Sequence, residues 1–369
     1  MKRLLELRQQ VGQLLIMGFD GTSVTPSLRK MLRELQPAGV ILFMRNVESP
    51  RQTHALLRDS RKLGEIPMFL CVDMEGGTVD RLKKIIVPAP AAADVFRFGR
   101  RENFRRHGRI IGDECRALGF NTDFAPSFDL ALSASQGVMG SRAVSSDPQQ
   151  ATIFAREFLR GLNDAGLLGC GKHFPGLGEA SLDTHFALAR ISKSWERLST
   201  EDLAPYRALR QRIAFVMLAH ASYPQVTGDG LPASLSSHWI KEILRQQIGY
   251  RGLVITDDLE MGGILAVATI DEAAVGTLSA GADMFLVCHK EELVRQAYEA
   301  VLREAERSRD FARTVARAAA RVLSYKARYP ILRRFPATPS AAKISRLKAK
   351  LEKFSAALAS GAPAEVAAR

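Results

Sequence analysis

Cysteine is scarce in this chain, and what there is lies scattered. Only four of its 369 residues are cysteine, at positions 71, 115, 170 and 288. No two form a CxxC pair, and three sit inside apolar runs (FLCVD, LGCGKHF, FLVCHK). That pattern argues against a disulfide scaffold and a redox motif. It predicts buried free thiols in a reducing compartment, so a cytoplasmic setting is expected. An apolar run of the roughly 18–20 residues that crosses a bilayer is also missing. The opening MKRLLELRQQVGQLLIMGFDG is basic and then apolar, but Glu6, Arg8, Gln9 and Gln10 interrupt it and no small-residue cleavage site follows. It reads as a helix running into a strand rather than a signal peptide.

Acid is the scarcer charge. Lys and Arg outnumber Asp and Glu by 52 to 39, a formal net charge of +13. The excess is local. Residues 301–369 hold 16 basic and 5 acidic side chains, and residues 1–300 hold the other 36 and 34. A nearly neutral body therefore carries basic C-terminal helices, which reads as a solvated face or a weak contact with anions. Aromatic residues are not interleaved with the charge, so no nucleic-acid partner is expected.

What is present is a regular alternation. Eight short apolar or β-branched runs, at 14–20, 39–45, 68–73, 121–126, 168–174, 215–220, 252–258 and 283–287, are separated by amphipathic stretches such as PRQTHALLRDSRKLG and SSHWIKEILRQQIG. Strands apolar on both faces and alternating with helices indicate a buried parallel sheet. Eight such units over about 300 residues predict an α/β fold of the (β/α)8 TIM-barrel type with extra C-terminal helices. The open doubly wound sheet lacks its GxGxxG after the first strand. Residues 1–335 are expected to form the barrel with its packed helices, and 336–369 a basic tail, helical and then disordered.

Polar residues collect where the predicted strands end: Asp20, Arg45, Asn46, Asp73, Asp123, Lys172, His173, His220, Asp257 and Asp258. A barrel opens all these ends onto one face, where active sites are built. Three stretches stand out there. In VDMEGGTVDRL, Asp73 ends a strand and Arg81 follows a glycine turn. GKHFPGLGEASLDTH joins Lys172 and His173 to a glycine-bordered loop carrying Asp183 and His185. Two positions apart in extended chain, those two side chains share a side, so the carboxylate can fix the imidazole tautomer. A plain loop staple is the alternative. In LVITDDLEMGG, strand alternation turns one of Asp257 and Asp258 into the mouth. A metal site built from His173, Asp183, His185, His220 and Asp257 is a rival reading, without an HxH or HExxH spacing behind it.

Together these segments resemble the family 3 glycoside hydrolases, in particular the single-domain bacterial β-N-acetylglucosaminidases of peptidoglycan recycling. The resemblance runs in order over residues 8–300 through GVILFMRN, VDMEGGTVDRL, FNTDFAPSFDL, GSRAVSSDP, KHFPGLGEASLDTH, VMLAHASYP, LPASLSSHWI and GLVITDDLEM. It implies a retaining double displacement. Asp257 would be the nucleophile, His185 with Asp183 the acid/base dyad, and Asp73, Arg81, Arg142, Lys172 and His173 the sugar-binding residues. It implies no metal or cofactor, a monomer, and a small GlcNAc-containing substrate such as chitobiose-type sugars or GlcNAc-1,6-anhydroMurNAc peptides. Leu177, Thr78 and Met74 depart from the family pattern, and the first two are expected to remove polar groups near the mouth. Phosphorolysis in place of hydrolysis, and a catalytically impaired sugar binder, are the alternatives.

Overall fold

The computed structural model describes residues 5–360. Each of the eight expected runs contributes one strand: β1 (Leu15–Met17), β2 (Gly39–Ile41), β3 (Phe69–Val72), β4 (Thr122–Asp123), β5 (Cys170–Phe174), β6 (Phe215–Leu218), β7 (Leu253–Asp258) and β8 (Met284–Val287). All pairings between neighbours are parallel, in the order β4-β3-β2-β1-β8-β7-β6-β5. Isolated bridges Thr122–Leu168 and Ser127–Lys172 close β4 onto β5 and complete the barrel.

The connecting helices start where the sequence dictates. In α1 (Pro26–Leu35), α2 (Pro50–Arg61) and α4 (Pro148–Asp164), a Thr, Ser or Asp accepts a backbone N–H of the first turn and a proline follows it. The cap satisfies a donor that the helix leaves unpaired, and proline has no such donor to lose. Helix α3 (Arg101–Leu118) packs along α4, α5 (Ala204–Leu209) follows β5, and α6 (His238–Gln247), wound as a π-helix, precedes β7. Helix α7 (Ile270–Ala280) opens on a reciprocal Thr269/Glu272 cap and ends at Gly281 in left-handed conformation. Helix α8 (Glu291–Arg307) completes the ring, and α9 (Arg309–Arg328) packs against α8 and α7.

Inside the barrel, Phe69, Phe124 and Phe215 meet edge to face, with centroids 5.1 and 5.7 Å apart. Each such buried ring contributes roughly 1.5–3 kcal/mol. The floor holds an exception to this apolar filling. Lys326 of α9 is buried there, donates to Gln13 Oε1 (2.7 Å) and Ala38 O (2.8 Å), and lies over the Phe69 ring. Among the described residues no carboxylate pairs with it. Burial pushes its ammonium down to about 7.

Beyond residue 335 the chain forms α10 (Ala341–Ala359). Ile344, Leu347, Leu351, Phe354 and Leu358 recur every three or four residues and are buried in the main core. The Phe354 ring reaches His107 of α3, and Lys350 reaches Asp113 at 2.7 Å. The disordered end expected beyond it lies outside the described residues.

Candidate active site

At the C-terminal ends of the strands lies a cavity of about 250 Å³. Its wall includes Asp73, Arg81, Arg142, Lys172, His173, His185 and Asp257, seven of the eight residues singled out in the sequence. Asp183, the eighth, stands behind His185.

One side of the cavity is a fixed ion cluster. Lys172 Nζ sits between Asp73 Oδ1 (2.8 Å) and Glu75 Oε1 (2.7 Å). Arg142 grips Glu75 with two parallel hydrogen bonds, Nε to Oε2 at 2.9 Å and Nη2 to Oε1 at 2.8 Å. Arg81 approaches Asp73 at 3.9 Å. Burial disfavours the charges on Glu75, Lys172 and Arg142, yet their partners outweigh it. Glu75 is held far below the usual carboxylate range by Arg142 and Lys172, and Lys172 is raised by Asp73 and Glu75. Within the quartet Asp73, Glu75, Lys172 and Arg142 the formal charges cancel. Asp123, close beneath it, is fully buried, and burial raises its carboxyl well above the ordinary range. It accepts the Met74 N–H at 2.9 Å.

His173 is locked from both ends. Its Nδ1 meets Asp129 Oδ2 at 2.7 Å, and Arg142 Nη2 lies 3.3 Å from its Nε2. Arginine can only donate, so the network assigns the ring proton to Nδ1. Asp129 also accepts from the backbone N–H of His173 and Leu177 and from Ser127 Oγ.

Asp257, near the end of β7, turns into the cavity with its Oδ2 4.0 Å from His173 Nε2. Burial opposes its ionisation, but His173, His220 and His185 outweigh that and keep the carboxyl below its ordinary value. Asp258 turns instead to the backbone N–H of Glu260 and Cys288, both at 3.1 Å. Burial, with Glu260 and Asp257 adding, pushes it up to about 7. His220 is buried between Ser234 Oγ and Asp258 O, and burial lowers its pKa. Among the described residues no group of three or more His, Cys, Asp or Glu is placed to hold a metal ion.

The dyad residues meet, though not in extended chain. The Asp183 carboxylate accepts both the His185 backbone N–H (2.9 Å) and its Nδ1 (2.7 Å), while Asp183 O accepts from Phe186 N. This is an Asx turn, so the staple and the dyad are one contact. Among the described residues it leaves Nε2 without a hydrogen-bond partner. The His185 side chain is 60% exposed, whereas Lys172 is 3% exposed. The loop docks on the segment after β7: Gly262 N donates to His185 O and Gly263 N to Thr184 O, both at 2.9 Å. A Cβ at Gly262 would stand 2.5 Å from Phe186 O, and one at Gly263 would stand 2.8 Å from Thr184 O. Only glycine admits the loop this closely.

The departures from the family pattern lie elsewhere than expected. Leu177 is buried in a second apolar cluster that includes Phe128 and Phe174, and it does not line the cavity. Thr78 is exposed outside the wall, and Met74 is buried with its Sδ against Arg81 N. Sequence reasoning missed Glu75, Asp129 and the Gly262-Gly263 pair. Glu75 stands within VDMEGGTVDRL, between residues that do carry a strand-end or turn signal, and Asp129 is the last acid of FNTDFAPSFDL.

The family described as the glycosyl hydrolase family 3 N-terminal domain matches residues 6–325. A protein of Pseudomonas aeruginosa named β-hexosaminidase is 37% identical over 290 residues, 78% of this chain and 86% of that one. Its namesake in Idiomarina loihiensis is 33% identical, over 74% of this chain and 83% of its own. Among solved structures, a glycoside hydrolase family 3 β-N-acetylglucosaminidase from Paenibacillus sp. str. FPU-7 superposes with a TM-score of 0.89 at 34% identity, covering 95% of this chain and 68% of that one. Native NagZ from Neisseria gonorrhoeae gives 0.70 at 28% identity, covering 85% and 98%.

Proposed function

From the premise that this chain belongs to glycosyl hydrolase family 3 and is a glycoside hydrolase of β-hexosaminidase type, we propose that it is a retaining, exo-acting β-N-acetylglucosaminidase releasing GlcNAc from muropeptide or chitobiose-type sugars. The observation that carries the reading is that Asp257 and His185, 72 positions apart, line one cavity. Its volume of about 250 Å³ suits one pyranose ring.

In the first half-reaction the Asp257 carboxylate attacks the anomeric carbon, and His185 Nε2–H protonates the departing glycosidic oxygen. The C1–O bond to the leaving group breaks as the C1–Oδ bond forms. In the second half, neutral His185 takes a proton from water, and the oxygen attacks C1 and expels Asp257. Asp183 holds Nδ1–H throughout and steadies the imidazolium. The low pKa of Asp257 keeps it ionised for attack. Asp73, Lys172, Arg81, Arg142 and His173 present fixed donors and acceptors to the sugar hydroxyls and amide, each of which needs a partner once desolvated.

Treatment with a slow 2-fluoro or 5-fluoro glycosyl donor, followed by peptide mass spectrometry, tests the scheme. The expected result is a glycosyl adduct on Asp257. An active enzyme labelled at another carboxylate, or turning over with inversion, would refute it. The exposed imidazole, unlike a carboxylate, does not repel an incoming phosphate, which favours phosphorolysis as the second reading. A sugar 1-phosphate formed only when phosphate is present would establish it.

A further inference from the structure

Part of the chain's positive charge gathers at one concave site away from the sugar cavity. Below the opposite end of the barrel, a cavity of about 390 Å³ is lined by Lys241 and Arg245 of α6, by Arg251 in the turn into β7, and by Arg317 and Arg321 of α9. Five cations share this wall, and the carboxylate in contact with them is Asp283. It is fully buried and accepts Arg245 Nη2 at 2.5 Å, Arg321 Nε and the Val254 N–H.

Some of the charge has structural duties. Lys241 donates to Ser279 O at the end of α7, and Arg245 donates to Tyr250 O and Gly252 O. The Lys241 contact satisfies a carbonyl left open at a helix end, and the Arg245 contacts fasten the turn into β7. They do not account for Arg251 and Arg317. Arg251 touches only Arg245 O at 3.4 Å, and Arg317 makes no hydrogen bond or ion pair among the described residues. Asp283 clamps two guanidiniums in place, and two more face the same hollow with no acid. Four positive charges are left uncompensated in a concave site, where a multivalent anion has several donors at once.

We propose that this cavity binds a compact phosphate-bearing anion, a phosphomonoester or polyphosphate. Guanidinium forks match phosphate oxygens in pairs, which selects phosphate over a point charge. A nucleobase is not part of the ligand, because Tyr250 is buried and its ring already carries Arg245. The site is independent of the sugar reaction.

Isothermal titration with inorganic pyrophosphate, in low salt and again at about 0.15 M, tests this. Saturable one-to-one binding is expected in both, weakened about tenfold or more in Arg251→Ala/Arg317→Ala, the scale of one charge-assisted hydrogen bond. Both side chains are exposed, and an unchanged thermal midpoint will show that the fold is intact. Arg317→Lys should bind with intermediate affinity. Arg81→Ala should bind as the wild type does; a loss there would put the anion in the sugar cavity and overturn the proposal. So would sulfate binding as tightly as pyrophosphate, heat that never saturates, or affinity untouched by the double substitution.

Discussion

Glu75→Gln is the sharpest perturbation of the fixed half of the site. Glu75 and Lys172 are each 3% exposed. The quartet with Asp73 and Arg142 is charge-balanced, so removing one anion strands a buried cation. Breaking a buried pair in this way costs about 3–5 kcal/mol. Against a total stability of about 5–15 kcal/mol this is a large loss. At about 2 °C per kcal/mol for a chain of this size, the thermal midpoint should fall by about 6–10 °C. Glutamine keeps the shape and one acceptor, so the loss reports charge rather than volume. Lys172→Met alone should be costly too, because it leaves Asp73 and Glu75 with Arg142 as their chief cation.

The double variant decides between coupling and coincidence. Glu75→Gln/Lys172→Met restores balance, with Asp73 facing the arginines. It should recover about 2 kcal/mol relative to the sum of the single losses, within the range measured for residues in one network. Scanning calorimetry of the four proteins at one pH and scan rate gives the coupling directly. Activity is not the readout, since Lys172 is proposed to hold the sugar. Additive losses, within about 0.5 kcal/mol, would refute the claim that these charges compensate one another.

The remaining expectations concern the loop and two perturbed groups. Gly262→Ala forces a Cβ to 2.5 Å from Phe186 O, so it should displace His185 and lower kcat by about tenfold to a hundredfold, the scale of a 1 Å misplacement. Substrate affinity, measured with an unreacted sugar, should change little; unaltered turnover would show that the docked loop is not the working one. Asp258 has a folded pKa near 7, above its ordinary 3.8, so the unfolded chain is the more ionised between those values and stability falls as pH rises through that window. Asp258→Asn should remove this dependence and exceed the wild type in thermal midpoint at pH 8 but not at pH 4. Lys326 runs the other way. Its folded pKa is depressed to about 7 from 10.5, so the unfolded chain binds the extra proton between the two, and the stability it contributes grows as pH rises from 7 to 10.5. The wild type should therefore gain on Lys326→Met by up to about 5 kcal/mol over that window in urea unfolding; a constant difference would mean that the amine is already charged and paired.

Much of this was legible in the sequence because the barrel signal is local. Each strand is a short apolar run closed by a polar residue, and α1, α2 and α4 each begin with a cap followed by proline. The strand-end rule placed Asp73, Lys172, His173 and Asp257 on one face without any knowledge of distance. Arg142 was different, because it lies in an irregular stretch and entered only through the family resemblance. What stayed hidden depends on contacts far apart in the chain. Glu75 is one residue among acids until Arg142, 67 positions on, grips it with two bonds. Asp129 reads as a loop acid until it meets His173. Leu177 looked like a loss of polarity at the mouth because sequence shows where a residue falls on a loop, not which way it faces. The Asx turn at Asp183 was mistaken for extended chain since a spacing of two fits both.

The two halves of the site are built from opposite materials, and the proposed reaction needs both. Hydroxyl recognition requires charges that do not move, and burying them in a neutral quartet on strand ends supplies that at a cost the cluster itself offsets. Acid/base work requires a group that reaches solvent, because water must enter at C1 in the second half-reaction. A carboxylic acid in so exposed a place would ionise near its ordinary value of about 4 and carry no proton at neutral pH. An imidazole does not need burial to titrate near neutrality. That is a physical reason to place an imidazole rather than a carboxyl group on a loop open to water. His185→Glu puts the argument to the test. It should transfer the pH optimum downward by about 2 units, the separation of the ordinary His and Glu values, with a residual rate on substrates whose leaving group needs no protonation. An optimum that stays near neutrality in the variant would show that loop closure buries the group, and that exposure is not why the imidazole is there.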